Sequence, residues 1–275
     1  MGVSKGLILF LLATIFVALS LRAVVKVMEP RFIFHPTMAL ELNPKLAGFE
    51  YTDVVIQSGA DKIHGWFIKS DKSKPLVIFF HGNAGNISHR LDFIRFMEPL
   101  KLNFLLMDYK GYGRSEGSPS VSAVEEDAIA TLLWANEKLK APFNQIILWG
   151  RSMGGAAALY AASQKPEVAG VIVESSFISL RRIASELFPA VPVAFISDSW
   201  NNDEIVSSIS TPKLFIHGTK DEIIPFRHTE ELFRIAKEPK QALPIKSGHN
   251  DTYIRGGNVY RKAVGDWIFK VTGTK

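Results

Sequence analysis

A serine bracketed by glycines offers the first chemistry in this sequence. Ser152 lies in Gly150-Arg151-Ser152-Met153-Gly154-Gly155, after the apolar run Ile146-Ile147-Leu148-Trp149 and before the small-residue run Ala156 to Ala162. That order reads strand, sharp turn, helix. The G-x-S-x-G spacing sets a hydroxyl at the tip of a strained turn whose neighbouring backbones pass too closely for side chains. Chance alone produces such spacing in about one chain of this length in ten, so the partners must come from elsewhere in the chain. A serine hydroxyl is a weak nucleophile and needs a base within hydrogen-bond reach, itself oriented by a third group.

Seven histidines compete for the role of base. His249, in Ser247-Gly248-His249-Asn250-Asp251, follows the last apolar strand-like run and should stand at the ligand-binding edge of a sheet. His81 and His217 also end strands, but each precedes glycine and reads as part of a turn. His228 falls in a helix and is expected to be solvated, while His35, His64 and His89 have no chemical context. Asp221 is the expected acid, in a strand-to-helix loop that gives the chain order Ser, Asp, His. Its neighbour Glu222 is the first alternative and Glu174 the second. Asp108 precedes the serine and reads as a support for the glycine-rich turn Asp108 to Ser115. Donors for a developing oxyanion are expected from the backbone N–H of Met153 and from the loop His81-Gly82-Asn83-Ala84-Gly85-Asn86. There the Asn83 N–H is the first choice and Ala84 the alternative. That loop lacks a following G-K-[ST], so it is no phosphate cradle. With no cysteine and only scattered histidines, neither a metal nor a cofactor is expected.

The elements that must hold these residues read as alternating strands and helices. Residues 51–57 and 62–69 form an antiparallel pair around Ser58-Gly59-Ala60-Asp61. The continuous apolar runs at 76–80, 103–107, 145–149, 168–173 and 213–216 suit strands buried on both faces of a parallel sheet, with a short one at 241–245. Helices are expected from Ile87 to Leu100, from a capping box at Ser122 and Glu125 to about Lys140, over 152–163, over 226–237 and over 258–271. The fold class is therefore α/β, with a mostly parallel central sheet, helices on both faces and ligand at the carboxyl ends of the strands. The stretch from about 175 to 211 breaks the rhythm. It is long enough to be a lid-like insertion with helices of its own, and Phe177, Leu180, Leu187, Phe188 and Phe195 in it, with Trp200, are candidates for an acyl pocket.

The 275 residues are 47% hydrophobic and 21% charged with a net charge of +5, which excludes disorder and allows one large domain. Basic residues are spread evenly and no basic run with interleaved aromatics occurs, so nucleic acid is not a partner. Residues 1–28 differ from the rest, with an uncharged apolar stretch from Leu7 to Leu21 between Lys5 and Arg22. Extended to Val27 it reaches about 32 Å as a helix, enough to span a bilayer. It reads as a transmembrane anchor, with a signal peptide cleaved near Ala18-Leu19-Ser20 as the alternative. Arg22, Lys26 and Arg31 on its C-terminal side favour a cytoplasmic catalytic domain. A connector over 29–49 leads into a catalytic domain over 50–275.

The motifs His81 to Asn86, Asp108 to Ser115, Gly150 to Gly155, His217 to Asp221 and Gly248-His249, taken together and in order, resemble the HGNAGN branch of the α/β-hydrolase superfamily. The resemblance runs from about residue 50 to the C-terminus, and Lys110 departs from it where arginine is more frequent. It implies an α/β-hydrolase fold with Ser152 as nucleophile, Asp221 as acid and His249 as base. It also implies a serine hydrolase of carboxylic esters or thioesters, some relatives of which deacylate proteins and many of which are membrane-tethered. Small or lipid-like acyl esters and thioesters, or acylated proteins, are the expected substrates. A peptidase or amidase, or a membrane-anchored scaffold without activity, is the alternative on the same fold.

Overall fold

The computed structural model describes residues 4–274. Eight strands form one sheet: β1 (Tyr51–Ser58), β2 (Asp61–Ile68), β3 (Leu76–Phe80), β4 (Asn103–Met107), β5 (Ile146–Arg151), β6 (Gly170–Glu174), β7 (Lys213–Gly218) and β8 (Lys240–Ile245). They lie in the order β8-β7-β6-β5-β3-β4-β2-β1. β1 and β2 make an antiparallel hairpin, β2 runs antiparallel to β4, and every other pairing is parallel.

Alternation along the central strands explains why these runs read as continuously apolar. Ile78, Phe80, Leu105, Met107, Ile146 and Leu148 join one apolar cluster. Val77, Phe79, Phe104, Leu106, Ile147 and Trp149 join a second on the opposite face. α3 (Val121–Lys138) and α4 (Met153–Gln164) cover the first face; α2 (Leu91–Met97) and α8 (Thr252–Thr272) cover the second. A sheet with two dry faces leaves its strand ends as the place for polar chemistry.

Several local expectations are corrected. Ser120, not Ser122, caps α3: its extended backbone lets Oγ accept from Ala123 N at 3.0 Å, while Ser122 already lies inside the helix. The helix expected over 87–100 is α2 with a 3-10 turn at each end, Ile87–Arg90 and Glu98–Leu100. α8 begins six residues earlier than expected, at Thr252, and bends at Gly257, whose φ of 51° is outside the helical range.

At the N-terminus α1 (Lys5–Ile33) runs unbroken past residue 28, with Pro30 inside it. Its last turns are held by the body of the protein. Glu29 accepts from Ser197 N at 3.1 Å and from Ser197 Oγ at 2.5 Å, and Asn83 Nδ2 donates to Ile33 O at 2.9 Å. Residues 175–211 carry α5 (Leu180–Leu187), a 3-10 turn over Val193–Phe195, and α6 (Asn202–Ser208). α7 (Arg227–Ile235) follows β7.

Candidate active site

β5 ends in a turn that only this sequence pattern permits. Ser152 sits at φ 54° and ψ −122°, a conformation costly for an L-residue and kept only where the surroundings over-determine it. They do so by contact. A Cβ at Gly150 would lie 2.0 Å from Gly154 O, and one at Gly154 would lie 2.0 Å from Phe80 O. Gly82 passes close enough that its Cβ would meet Ser152 Cβ at 3.4 Å. Gly154→Ala is therefore expected to destabilise by about 1–3 kcal/mol, read by thermal melting. An unchanged melting temperature would show that β3 and α4 can separate freely.

His249 and Ser152 line the same cavity, of about 540 Å³. The loop between β8 and α8 brings His249 there, and Asp221 arrives from the loop after β7. His249 Nδ1 and Asp221 Oδ2 are 2.7 Å apart. Asp221 Oδ1 accepts from Ile223 N at 2.9 Å and Ile224 N at 2.8 Å, which fixes the carboxylate plane. Burial opposes ionisation of Asp221. Hydrogen bonds from His217 and His249, the charge of His249 and the Ile224 amide outweigh it and hold the carboxyl far below its ordinary pKa. With Nδ1 engaged by the carboxylate, His249 Nε2 is left for the cavity. Among the described residues no hydrogen bond joins Ser152 Oγ to His249, a contact that commonly tightens only with substrate bound.

The two candidate oxyanion donors stand on either side of the serine. The Met153 N–H begins α4, where helix geometry leaves it without an intrahelical acceptor. Asn83 belongs to the loop after β3, and its backbone is tied down on several sides. Its carbonyl accepts from His35 N at 3.0 Å and Tyr112 Oη at 2.7 Å. The adjacent residues Ala84–Gly85 pair with His35–Pro36 in a two-residue parallel bridge. Buried His81 contacts Gly82 O at 2.7 Å through Nδ1 and supports the same loop.

Among the described residues neither alternative acid pairs with His249, whose carboxylate partner is Asp221. Glu174 is buried and bonded to Trp149 Nε1 at 2.9 Å, Tyr260 Oη at 3.1 Å and Thr252 Oγ1, facing the core and not His249. Glu222 is exposed. Asp108 accepts from Ile87 N at 2.9 Å, and its carbonyl accepts from Ser115 Oγ, so it supports the turns around it. His228, expected in solvent, is fully buried. Its Nδ1 accepts from Ile178 N at 3.2 Å and its Nε2 meets Glu186 at 3.0 Å, because α5 of the insertion closes over α7.

Two residues near the reacting groups were invisible in the pattern. His217 Nε2 lies 3.1 Å from Asp221 Oδ2 and 2.8 Å from Ile224 O, while its Nδ1 meets Thr229 Oγ1 at 2.7 Å. Two acceptors at Nε2 require a proton there, so Nδ1 accepts from the threonine. His217 thus donates to the carboxylate from behind. Arg151 Nη2 donates to His249 O at 2.9 Å and steadies the histidine loop. His217 ends a strand before glycine as any turn histidine might, and Arg151 acts across 98 residues of sequence, so neither role has a local signal.

Phe177, Leu180, Leu187, Phe188 and Trp200 line the cavity. Phe195 does not: it closes the 3-10 turn, and the next residue, Ile196, lines the cavity in its place. The opposite wall comes from α1, through Val24, Val25, Met28, Phe32 and Ile33. Phe32 and Phe188 meet with ring centroids 5.5 Å apart.

A family model described as the alpha/beta hydrolase fold matches residues 75–208. The chain is 33% identical over 244 residues to the alpha/beta hydrolase domain-containing protein WAV2 of Arabidopsis thaliana, covering 80% of this chain and 79% of that one. It is 34% identical over 225 residues to the membrane protein YNL320W of Saccharomyces cerevisiae, covering 78% of this chain and 79% of that one. Among solved structures, an esterase of Pyrococcus furiosus superposes with a TM-score of 0.74 at 23% identity, over 86% of this chain and 98% of that one. The chain belongs to the α/β-hydrolase fold family.

Proposed function

We propose that this protein is a membrane-held serine hydrolase that cleaves carboxylic esters or thioesters of acyl chains. The observation that carries the reading is the 2.7 Å His249–Asp221 contact beside a serine on a strained elbow, with Ser152 and His249 both lining one apolar-walled cavity. The motif run from His81 to His249 supports placement in the HGNAGN branch. In the reaction, Ser152 Oγ attacks the acyl carbon while His249 Nε2 takes its proton, and the carbonyl electron pair moves onto oxygen. The N–H groups of Met153 and Asn83 stabilise that oxyanion. Collapse expels the alcohol or thiol, which leaves with the proton from His249. A water molecule deprotonated by His249 then attacks the acyl-enzyme, and the second collapse returns the proton to Ser152.

The share of the wall built from α1 supports an acyl substrate drawn from the bilayer. α1 is the one helix among the described residues long and apolar enough to cross a membrane. Its large apolar side chains from Leu7 to Leu21 are exposed, and the same helix continues down to the cavity. Leu187, Phe188 and Val193 beside it are also exposed, extending the apolar surface of the helix onto the insertion. The full chain in neutral detergent is expected to hydrolyse p-nitrophenyl esters with kcat/KM rising by about tenfold or more from C2 to C8–C12, as each added methylene is buried. A fluorophosphonate probe is expected to label Ser152. Equal rates for C2 and C12 would overturn the long-acyl pocket, and absence of labelling would overturn the hydrolase in favour of a scaffold.

A further inference from the structure

The apolar cavity holds two cations that the hydrolytic chemistry does not use. Arg90, which closes the 3-10 turn before α2, and Arg151, the last residue of β5, both line it alongside Ser152 and His249. Among the described residues neither guanidinium forms a salt bridge. The hydrogen bonds of each go to a carbonyl, Ala84 O for Arg90 and His249 O for Arg151. Arg90 Nε is buried and has no partner. Of the nearby carboxylates, Glu29 on the same cavity wall accepts from Ser197, Glu174 is held by Trp149, Thr252 and Tyr260, and Asp108 accepts from Ile87 N through Oδ1 while its buried Oδ2 has no hydrogen-bond partner among the described residues. Burial first, and the like charge of Arg151 second, pull the pKa of Arg90 down to about 10, and the charge of Asp108 offsets them only in part. Two cations without a direct ion pair at the wall of a largely apolar cavity are stabilised by a ligand that supplies the opposite charge. A pair of guanidinium forks suits the planar oxygens of a carboxylate or phosphate.

We infer that the substrate is an anionic amphiphile, whose carboxylate or phosphate group is received by Arg90 and Arg151 while its acyl chain lies along the wall of α1 and α5. The inference rests on the acyl-hydrolase reading for the scissile bond, but the anion site itself does not require turnover. The rival role for Arg90 is purely architectural: through Ala84 O it could do no more than hold the loop that carries Asn83.

Binding and turnover separate these. With full-length Ser152→Ala protein in neutral detergent, titration calorimetry is expected to find octyl phosphate or octanoate bound at least about tenfold more tightly than 1-octanol. The stronger of the two identifies the preferred anion. Adding Arg90→Gln, or Arg151→Gln, should bring the affinities toward parity. Arg90→Lys keeps the charge without the fork and should retain part of the difference, which guards against a misfolded glutamine variant. In the otherwise unsubstituted chain, 1-octanoylglycerol 3-phosphate or O-octanoyl lactate should be preferred over 1-octanoylglycerol through KM, and Arg90→Gln should collapse that ratio. Equal affinity for all three octyl ligands would overturn the inference. So would a fall in kcat for charged and neutral esters alike with their ratio preserved, which is the signature of a loop support. Arginine-dependent binding of octyl phosphate without hydrolysis of any ester would leave the anion site standing and remove the hydrolase. Hydrolysis of p-nitrophenyl esters without anion preference would do the reverse.

Discussion

Ser152→Ala is expected to lower turnover of a p-nitrophenyl octanoate substrate by about a millionfold, to the residual level that binding and oxyanion stabilisation supply alone. The size follows from the loss of the covalent step: without Oγ no acyl-enzyme forms, and His249 has no bound nucleophile to activate. The backbone should hardly notice. The strain at φ 54° is a property of the main chain and is shared by alanine. The Cβ that faces Gly82 is retained. The melting temperature should therefore stay within about 2 °C of the parent, consistent with a surface-like change of a few tenths of a kcal/mol. Fluorophosphonate labelling should vanish in parallel with activity. Retention of even a hundredth of the parent rate at unchanged stability would remove Ser152 from the mechanism and direct attention to another hydroxyl.

What was legible in the sequence was legible for steric reasons. The elbow glycines can be read because each stands where a Cβ would collide with backbone, 2.0 Å from Gly154 O at Gly150 and 2.0 Å from Phe80 O at Gly154. The central strands can be read because both faces of β3, β4 and β5 are buried along their length, leaving polar residues only at the ends, Asn103 in β4 and Arg151 in β5. What was hidden depends on contacts between remote segments. Nothing near His228 announces that Glu186 will cover it, since the covering helix lies 42 residues away. Nothing in Leu7 to Ile33 distinguishes a bare anchor from one whose last turns wall a cavity, because that distinction resides in Ser197 and Asn83. Phe195 carries the right chemistry for the cavity yet does not line it: it closes a 3-10 turn, and its neighbour Ile196 lines the cavity instead. Side-chain type is thus a good guide to what a residue can do. It is a poor guide to which side of a short irregular segment it will face.

Asp221→Asn should cost about ten-thousandfold in kcat with the site otherwise intact, as expected when a triad histidine is held in the wrong tautomer. The hydrogen bonds dictate which way the amide turns. Oδ1 accepts from the backbone of Ile223 and Ile224, so the carbonyl oxygen of asparagine must stay there. Its NH2 then occupies the place of Oδ2, facing His249 Nδ1 and His217 Nε2. A donor at His249 Nδ1 forces the imidazole proton onto Nε2, where it blocks acceptance of the serine proton. His217, whose Nε2 proton also lost its carboxylate acceptor, retains only Ile224 O, so the variant should also be less stable near neutral pH. That difference has a definite pH dependence. The Asp221 carboxyl is held far below its unfolded value of 3.8, first against burial and then by His217, His249 and the Ile224 amide. A depressed carboxyl contributes stability that is fully present above the unfolded pKa and is lost as pH falls toward the folded one. Denaturant unfolding of the two proteins should therefore show a gap that is constant from pH 7 to about 5 and narrows below about pH 4. A gap that widened on acidification would mean that Asp221 is protonated in the folded protein, and the histidine would then need another partner to orient it.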